Sequence, residues 1–233
     1  MKGLRTLLGI SLVFFYCGWA AASVGNPRPT HTESTPLAVR WAKALNLASL
    51  ADIDRKLAEP VVIEGGGELV LKHDHQAPRK VTTGREYLDA IVDGYYPVTT
   101  YDLTMESWFK QATEPLVLLQ KARPARQSFV AAIDLRKDPL SLLPPTLAPW
   151  IEAAERRRNE ALEAARKPWK AAYPRTVVER AEQDRVILVT PGSRTIIEIL
   201  AWADFDGDGI EDLLLAVNHF ATAGVIGVMS FRS

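Results

Sequence analysis

Short helical and strand-like patterns follow one another along the first half of the chain. Apolar residues recur at helical spacing from Leu37 to Leu45, directly after the start signal Thr35-Pro36, which predicts a first helix. Ser49, with Asp52 three positions later, predicts a second, short helix that ends near Ala58.

Glycines and capping residues predict the next boundaries. Residues 61–72 alternate in polarity around three glycines at 65–67, which favours a β-hairpin. Thr83 and Glu86 form a capping box that starts a helix, and Gly94 is placed to end it. The pattern further predicts a short helix over 104–112 and strands over 116–119 and 128–135.

The second half of the chain changes from helical to strand patterns. Apolar residues at 3–4 spacing predict a long helix over 147–172, which Pro168 should kink or end early. The strands that follow are predicted at 185–190, 195–202, 212–217 and 225–231. Their links are too short for crossovers, so they form an antiparallel meander. The expected fold class is α+β, with helices packed on an antiparallel sheet.

Residues 1–22 have the three parts of a secretory signal peptide. Lys2 and Arg5 form a positive start, an apolar run of about 14 residues follows, and alanines at 20–22 offer a cleavage site. A spanning helix needs roughly 20 residues, so we expect cleavage, with a retained membrane tether as the alternative. Cys17, the only cysteine, leaves with this segment, and the bulky Tyr16 before it argues against a lipid anchor. The mature protein is therefore expected in the periplasm or the medium, without a transmembrane helix.

Composition and charge narrow the class of protein. Of the 233 residues, 47% are hydrophobic and 24% are charged, as in a globular protein. Lys+Arg and Asp+Glu both number 28, and this balance argues against nucleic-acid binding, which needs clustered cations. The predicted parts are a signal peptide (1–22), a leader (23–35), an N-terminal α+β part (36–145), a helix (146–173) and the meander (174–233). Residues 36–233 also fit a single domain.

The acidic loop, residues 204–212, carries the main chemistry of the sequence. Counted from its first residue, carboxylates fall at positions 1, 3, 5 and 9, with a glycine at 6. Calcium takes six to eight oxygens at about 2.3–2.6 Å, and short side chains at alternate positions aim several carboxylates at one point. Glu211 is expected to point to solvent. The expected ligands are the side chains of Asp204, Asp206, Asp208 and Asp212 and the main-chain carbonyl of Ile210.

The loop differs from an EF-hand, because position 12 is Leu215 rather than Glu and the flanking segments are predicted strands. It resembles the D-x-D-G-D-G-x-x-D-L loop of FG-GAP and VCBS repeats, over about 202–217. That resemblance implies a structural calcium ion held between two strands by the same five residues. The chain has one copy, whereas a propeller repeats its blade at least about four times, so a propeller is excluded.

Two weaker patterns leave alternatives open. His73 and His75 could hold zinc or copper together with His219, but two ligands do not make a structural site, and a polar loop is the favoured interpretation. The aromatic segment, between Tyr95 and Phe109, contains three tyrosines, a tryptophan and a phenylalanine, which form either a binding groove or partial core. No nucleophile stands in a recognisable catalytic motif, so no catalytic residue is assigned.

The sequence thus predicts an exported protein with one structural calcium ion, acting as a binding or interaction module of the cell envelope. Its partner would be a protein or another envelope component, which the sequence does not identify. The alternative is an exported hydrolase with its site between Tyr95 and Phe109.

Overall fold

A computed structural model describes residues 36–63, 65–131, 133–150, 152–222 and 227–232. The signal peptide, Cys17 and the leader lie outside the described residues. The chain forms two compact units: the first comprises the described residues up to Arg40 and from Arg123 onward, and the second is Trp41–Ala122. The partition predicted at 145 and 173 stays a prediction.

The predicted helix after Thr35-Pro36 is wrong. Strand β1 (Arg40–Trp41) and a 3₁₀ turn at Lys43–Leu45 occupy this stretch. The main chain here is extended and pairs with residue 125, since Leu37 N donates to Ala125 O at 2.7 Å. Asn46, in the left-handed region with a φ of 48°, then ends the turn.

The second unit is built from three helices and one hairpin. Ser49 and Asp52 form the predicted capping box, so the second helical start is confirmed. The elements are a 3₁₀ turn at Leu50–Asp52, α1 (Ile53–Leu57), β2 (Leu69–Leu71), β3 (Arg79–Val81), α2 (Gly84–Val92) and α3 (Thr100–Leu119). The predicted capping box at Thr83 is also confirmed, and Gly94 follows α2 with a φ of 87°.

Two predictions in this unit are wrong. The hairpin is not centred on the glycines at 65–67; β2 pairs instead with β3, with Leu69 opposite Val81. All three glycines have a positive φ, which keeps their stretch out of a regular strand. The predicted short helix and the strand over 116–119 are one 20-residue helix, α3, which continues through Pro115. The core of this unit consists of Leu69, Leu71, Val81, Tyr87, Ala90, Tyr95, Met105 and Phe109.

Short helices precede the sheet in the first unit. They are α4 (Pro139–Leu142), a 3₁₀ turn at Pro145–Leu147, α5 (Ala153–Ala164) and α6 (Trp169–Ala172). The single helix predicted over 147–172 is therefore wrong as one element. After α5, Arg166 takes a left-handed φ of 55°. Pro168 then precedes α6 as its N-cap, so the helix ends before Pro168, as predicted. The described residues 128–131 and 133–135 do not form the predicted strand.

The sheet of the first unit is an antiparallel meander in the order β4-β5-β6-β7-β8. Its strands are β4 (Val177–Ala181), β5 (Arg185–Thr190), β6 (Ser193–Ala203), β7 (Asp212–Ala221) and β8 (Gly227–Arg232). The sequence predicted all of them except β4. Trp169 is fully buried against the sheet, and its Nε1 donates to Thr176 Oγ1 at 2.9 Å. The fold class is α+β, as predicted.

No helix within the described ranges combines the length and apolar character needed to cross a bilayer. The core of the first unit joins the short helices to β5, β6 and β7. It consists of Val130, Leu135, Leu143, Leu147, Ala148, Trp169, Val186, Leu188, Ile197, Ile199, Leu213, Leu215 and Val217.

Candidate metal centre

The acidic loop connects β6 to β7 in the first unit. Ala203 pairs with Asp212 in the register of these strands, so the loop closes at its base. Gly207 and Gly209 have φ values of 88° and 86°, in the region where a residue with a side chain is strained. The loop can therefore curl tightly at these two positions.

Asp204 is the buried member of a group of three carboxylates. One oxygen from each of Asp204, Asp206 and Asp208 lies within 4.8 Å of the other two. Asp204 is 4% exposed, and its Oδ1 and Oδ2 accept hydrogen bonds from the amides of Gly207 (2.6 Å) and Gly209 (3.0 Å). The curl of the backbone thus holds this carboxylate in place.

Asp206 and Asp208 are exposed, and main-chain amides hold them as well. Asp206 Oδ1 accepts from Asp208 N at 3.0 Å, and Asp208 Oδ1 accepts from Ile210 N at 2.7 Å. Partial loss of hydration, followed by the charges of Asp206 and Asp204, raises the pKa of the Asp208 carboxyl above its ordinary value. The three carboxylates therefore repel one another, and a bound cation would relieve that repulsion.

Asp212 lies outside this group of three but shares its charge environment. Its Oδ2 accepts from Phe205 N at 3.0 Å, and the residue is buried. Burial, followed by the charges of Asp206, Asp208 and Asp204, raises the pKa of Asp212 to about 7. Without a cation, the neutral form of the Asp212 carboxyl is therefore favoured much more strongly than for an ordinary aspartate.

A second stretch of chain, the strap (residues 123–128), runs along the acidic loop. Arg123 and Asp204 exchange two main-chain hydrogen bonds, each of 2.9 Å. The carbonyl of Gly209 accepts from the amides of Arg126 (2.7 Å) and Gln127 (3.1 Å). Both ends of the group of carboxylates are therefore tied to the strap by main-chain bonds.

The carbonyl of Ile210 is not used in these bonds. The strap takes the carbonyl of Gly209, and Glu211 N donates to Gln127 O at 2.8 Å. The predicted main-chain ligand therefore lies between two residues that the strap holds in position.

Glu211 does not point to solvent as predicted. It is 1% exposed, and its carboxylate accepts hydrogen bonds from Arg40 Nη2 (2.8 Å) and Ser128 Oγ (2.7 Å). These partners stand 171 and 83 positions away in the sequence, so no local pattern could have identified them. A buried carboxylate is stable here because it has both a cation and a hydroxyl as donors.

The donors of the acidic loop fit a hard divalent cation. All of them are carboxylate or carbonyl oxygens, which Ca²⁺, Mg²⁺ and Mn²⁺ prefer to nitrogen or sulfur. Two of the three clustered carboxylates are exposed, which leaves room for water to complete the coordination. In the part of the chain that the structure describes, this is the one group of three His, Cys, Asp or Glu side chains that could hold a metal.

The histidine pair lies in the turn between β2 and β3. The rings of His73 and His75 are 6.0 Å apart, and His73 Nδ1 accepts from His75 N at 3.0 Å. His219 lies on β7, in the other unit, where its Nδ1 is 3.1 Å from Thr195 Oγ1. The rings of His73 and His219 therefore each have a local hydrogen-bonding partner, and the zinc or copper site stays the alternative to a polar loop.

The aromatic segment contributes mainly to the core of the second unit. Tyr95 and Phe109 are buried there, and Trp108 packs against them. Tyr96 and Tyr101 are 44% and 54% exposed, and Tyr96 donates to Asp74 Oδ1 at 2.5 Å. The aromatic residues are thus divided between core and surface.

The sequence did not single out Glu106, the buried carboxylate of this segment. Tyr87 donates to Glu106 Oε1 at 3.0 Å, and Lys110 Nζ lies 2.8 Å from its Oε2. Burial raises the pKa of Tyr87, and the Glu106 charge adds to this effect. Both oxygens of Glu106 are therefore engaged in an arrangement that stabilises the packing of α2 on α3.

No protein-family model, no curated protein and no solved structure matches this chain.

Proposed function

We propose that this is an exported protein whose acidic loop binds one structural calcium ion. The observation that carries the proposal is the group of Asp204, Asp206 and Asp208 oxygens within 4.8 Å of one another. The positive φ at Gly207 and Gly209 supports it, as does the resemblance to FG-GAP and VCBS loops.

We propose calcium rather than magnesium because of the coordination that each ion requires. Magnesium requires a near-ideal octahedron at about 2.0–2.1 Å, whereas calcium accepts six to eight oxygens in a flexible arrangement. The carboxylates of Asp204, Asp206, Asp208 and Asp212, the Ile210 carbonyl and water would supply such a set. Extracellular calcium modules bind at about 10⁻⁴–10⁻³ M, and we propose an affinity in that range.

The ion has a structural role in this proposal. It would neutralise the carboxylates, fix the connection between β6 and β7, and stabilise the fold by binding only the native state. The protein would act as a binding or interaction module of the cell envelope. The hydrolase alternative has less support, because Glu106 already has Lys110 and Tyr87 as partners.

Calorimetric titration of calcium into chelator-treated residues 23–233 tests the proposal, with melting curves recorded in parallel. One binding site near the expected affinity and a higher Tm are the expected results. Magnesium serves as the control and should bind more weakly. No heat and no change in Tm at about 10 mM calcium would overturn the calcium site, because that concentration exceeds the expected Kd.

Export is tested separately by sequencing the N-terminus of the secreted or periplasmic product. A sequence that begins at Ser23 would fit cleavage after Ala22. Recovery of the intact Met1 terminus in a membrane fraction would support a tether and contradict export as a cleaved protein.

A further inference from the structure

The acidic loop contains a second acidic contact that does not involve the group of three carboxylates. Glu211 lies between predicted ligands Ile210 and Asp212, yet its oxygens accept from Arg40 and Ser128. Glu211 and Ser128 are buried, whereas the Arg40 side chain is 50% exposed. A change in the path of the loop at Glu211 would therefore leave a buried carboxylate without its donors, which is costly.

The strap depends on the same loop for its main-chain hydrogen bonds. Five such bonds join the two segments, and the loop residues that take part are Asp204, Gly209 and Glu211. Two of these residues are neighbours of Ile210, and the third is a proposed ligand. Whatever fixes the loop therefore fixes the main-chain partners of the strap.

The arm, residues 36–40, is held by both segments within the first unit. Leu37 N donates to Ala125 O in the strap at 2.7 Å. At its other end, the Arg40 guanidinium lies 5.0 Å from the centre of the Trp202 ring and 2.8 Å from Glu211. The arm therefore contacts the strap at one end and the acidic loop at the other, in addition to the pairing of β1 with β6.

We propose that the acidic loop is a calcium-dependent clasp that fastens the strap and the arm to the sheet. This inference rests on the proposed function, since it requires calcium to bind the loop. Without the ion, repulsion among Asp204, Asp206 and Asp208 opens the curl, and the bonds at Gly209 and Glu211 weaken. With the ion, the loop is fixed and both segments close on it.

The coupling works in both directions. If calcium strengthens the contacts of Glu211, those contacts must strengthen calcium binding by the same factor. Glu211 is thus a positioning residue: it is not proposed as a ligand, but its pairing with Arg40 and Ser128 favours the binding geometry of the loop.

Hydrogen exchange of the full mature protein, with calcium or with chelator, tests the clasp. We expect calcium to slow exchange in the strap and the arm by about tenfold or more, with little change in β5 as an internal reference. Calorimetry on the same samples establishes whether calcium is bound. Calcium binding with unchanged exchange in the strap would overturn the clasp and leave the proposed function intact. Absence of binding would overturn both.

Glu211→Gln tests the positioning role, with Glu179→Gln as the matched control. Glu179 also pairs with an arginine of this unit, Arg194, but on the surface of the sheet. We expect Glu211→Gln to weaken calcium binding by about threefold to tenfold and to speed exchange in the arm, while the control changes neither.

Arg40→Gln removes the same ion pair from its exposed side, so it provides a second variant that disturbs the buried site less. We expect it to weaken calcium binding in the same direction as Glu211→Gln. Unchanged calcium affinity in a folded variant of either kind would contradict the coupling.

Discussion

Asp206→Asn removes one of the negative charges that the acidic loop would place around a bound cation. Asparagine keeps an oxygen that can accept the 3.0 Å hydrogen bond from Asp208 N, so the local turn is preserved. Asp206 is exposed, so the substitution leaves no cavity. The change therefore tests electrostatics separately from packing.

The expected size of the effect follows from linkage. At about 10 mM calcium and a Kd of about 10⁻⁴–10⁻³ M, the ion stabilises the native state by about 1.4–2.7 kcal/mol. For a chain of this length, that corresponds to a Tm increase of about 3–11 °C. One unit charge about 3 Å from a divalent ion contributes about 2–3 kcal/mol at the dielectric constant of water. The variant should therefore bind calcium roughly 30- to 150-fold more weakly and lose most of the Tm increase.

In chelator, the same variant should be as stable as the wild type or slightly more stable. The Asp206 charge raises the pKa of both Asp208 and Asp212, so its removal relieves repulsion. Melting curves of both proteins in calcium and in chelator measure this, and Asp89→Asn, at an exposed position of α2, is the matched control. Equal Tm losses in calcium and in chelator would refute the reasoning, because they would show a packing effect rather than a metal effect.

Three further changes separate the contribution of the ion from that of the fold. In chelator, the free energy of unfolding should fall as the pH rises from about 4 to above 7, because the pKa of Asp212 is raised to about 7 and the native state then holds more protons than the unfolded state. Denaturant titrations across pH measure this slope, and saturating calcium should flatten it. Gly209→Ala should lower the free energy of unfolding by about 1–2 kcal/mol because of its positive φ, and it should also weaken calcium binding. Gly192 has a φ of 88° and open space around an added Cβ, so Gly192→Ala should lower the free energy of unfolding without changing calcium binding. Leu215→Ala, in the core of the first unit, should cost about 2–5 kcal/mol equally with and without calcium.

Each of these predictions has a contrary outcome. If the free energy of unfolding of the chelated protein did not change between about pH 4 and 7, the pKa of Asp212 in the folded state would be that of an ordinary aspartate. Equal calcium affinities for Gly209→Ala and Gly192→Ala would show that calcium binding does not require the positive φ at Gly209. If the loss of unfolding free energy in Leu215→Ala depended on calcium, the ion would be stabilising the core of the first unit as well as the loop.

The features that the sequence predicted correctly are those determined by near neighbours. Capping boxes at Ser49 and Thr83 and the hairpin from β5 to β6 each depend on residues within a few positions of one another. The grouping of the Asp204, Asp206 and Asp208 carboxylates is local in the same way, because these residues stand within five positions, whereas the calcium ion itself stays a prediction. For such features, spacing alone carries the stereochemical information.

The wrong predictions have distant causes or involve exceptions to local rules. Pro115 normally indicates a helix boundary, but α3 continues through it, and the residue is buried there. Residues 36–45 looked helical, although Leu37 bonds to the strap 88 positions away. Glu211 looked like a surface residue because its buried position depends on Arg40 and Ser128. Neither hydrophobic period nor composition reports such long-range pairs.

The distances in sequence at Glu211 also bear on when the loop closes during folding. Its partners stand 83 and 171 positions away, whereas β5, β6 and β7 are connected through short turns. Contacts of such separation form late, because the intervening chain must first be ordered. Interactions that are absent from the folding transition state slow unfolding without speeding folding. On the proposed clasp, the contacts of Glu211 therefore set how long the folded molecule persists and leave the rate at which it first forms unchanged.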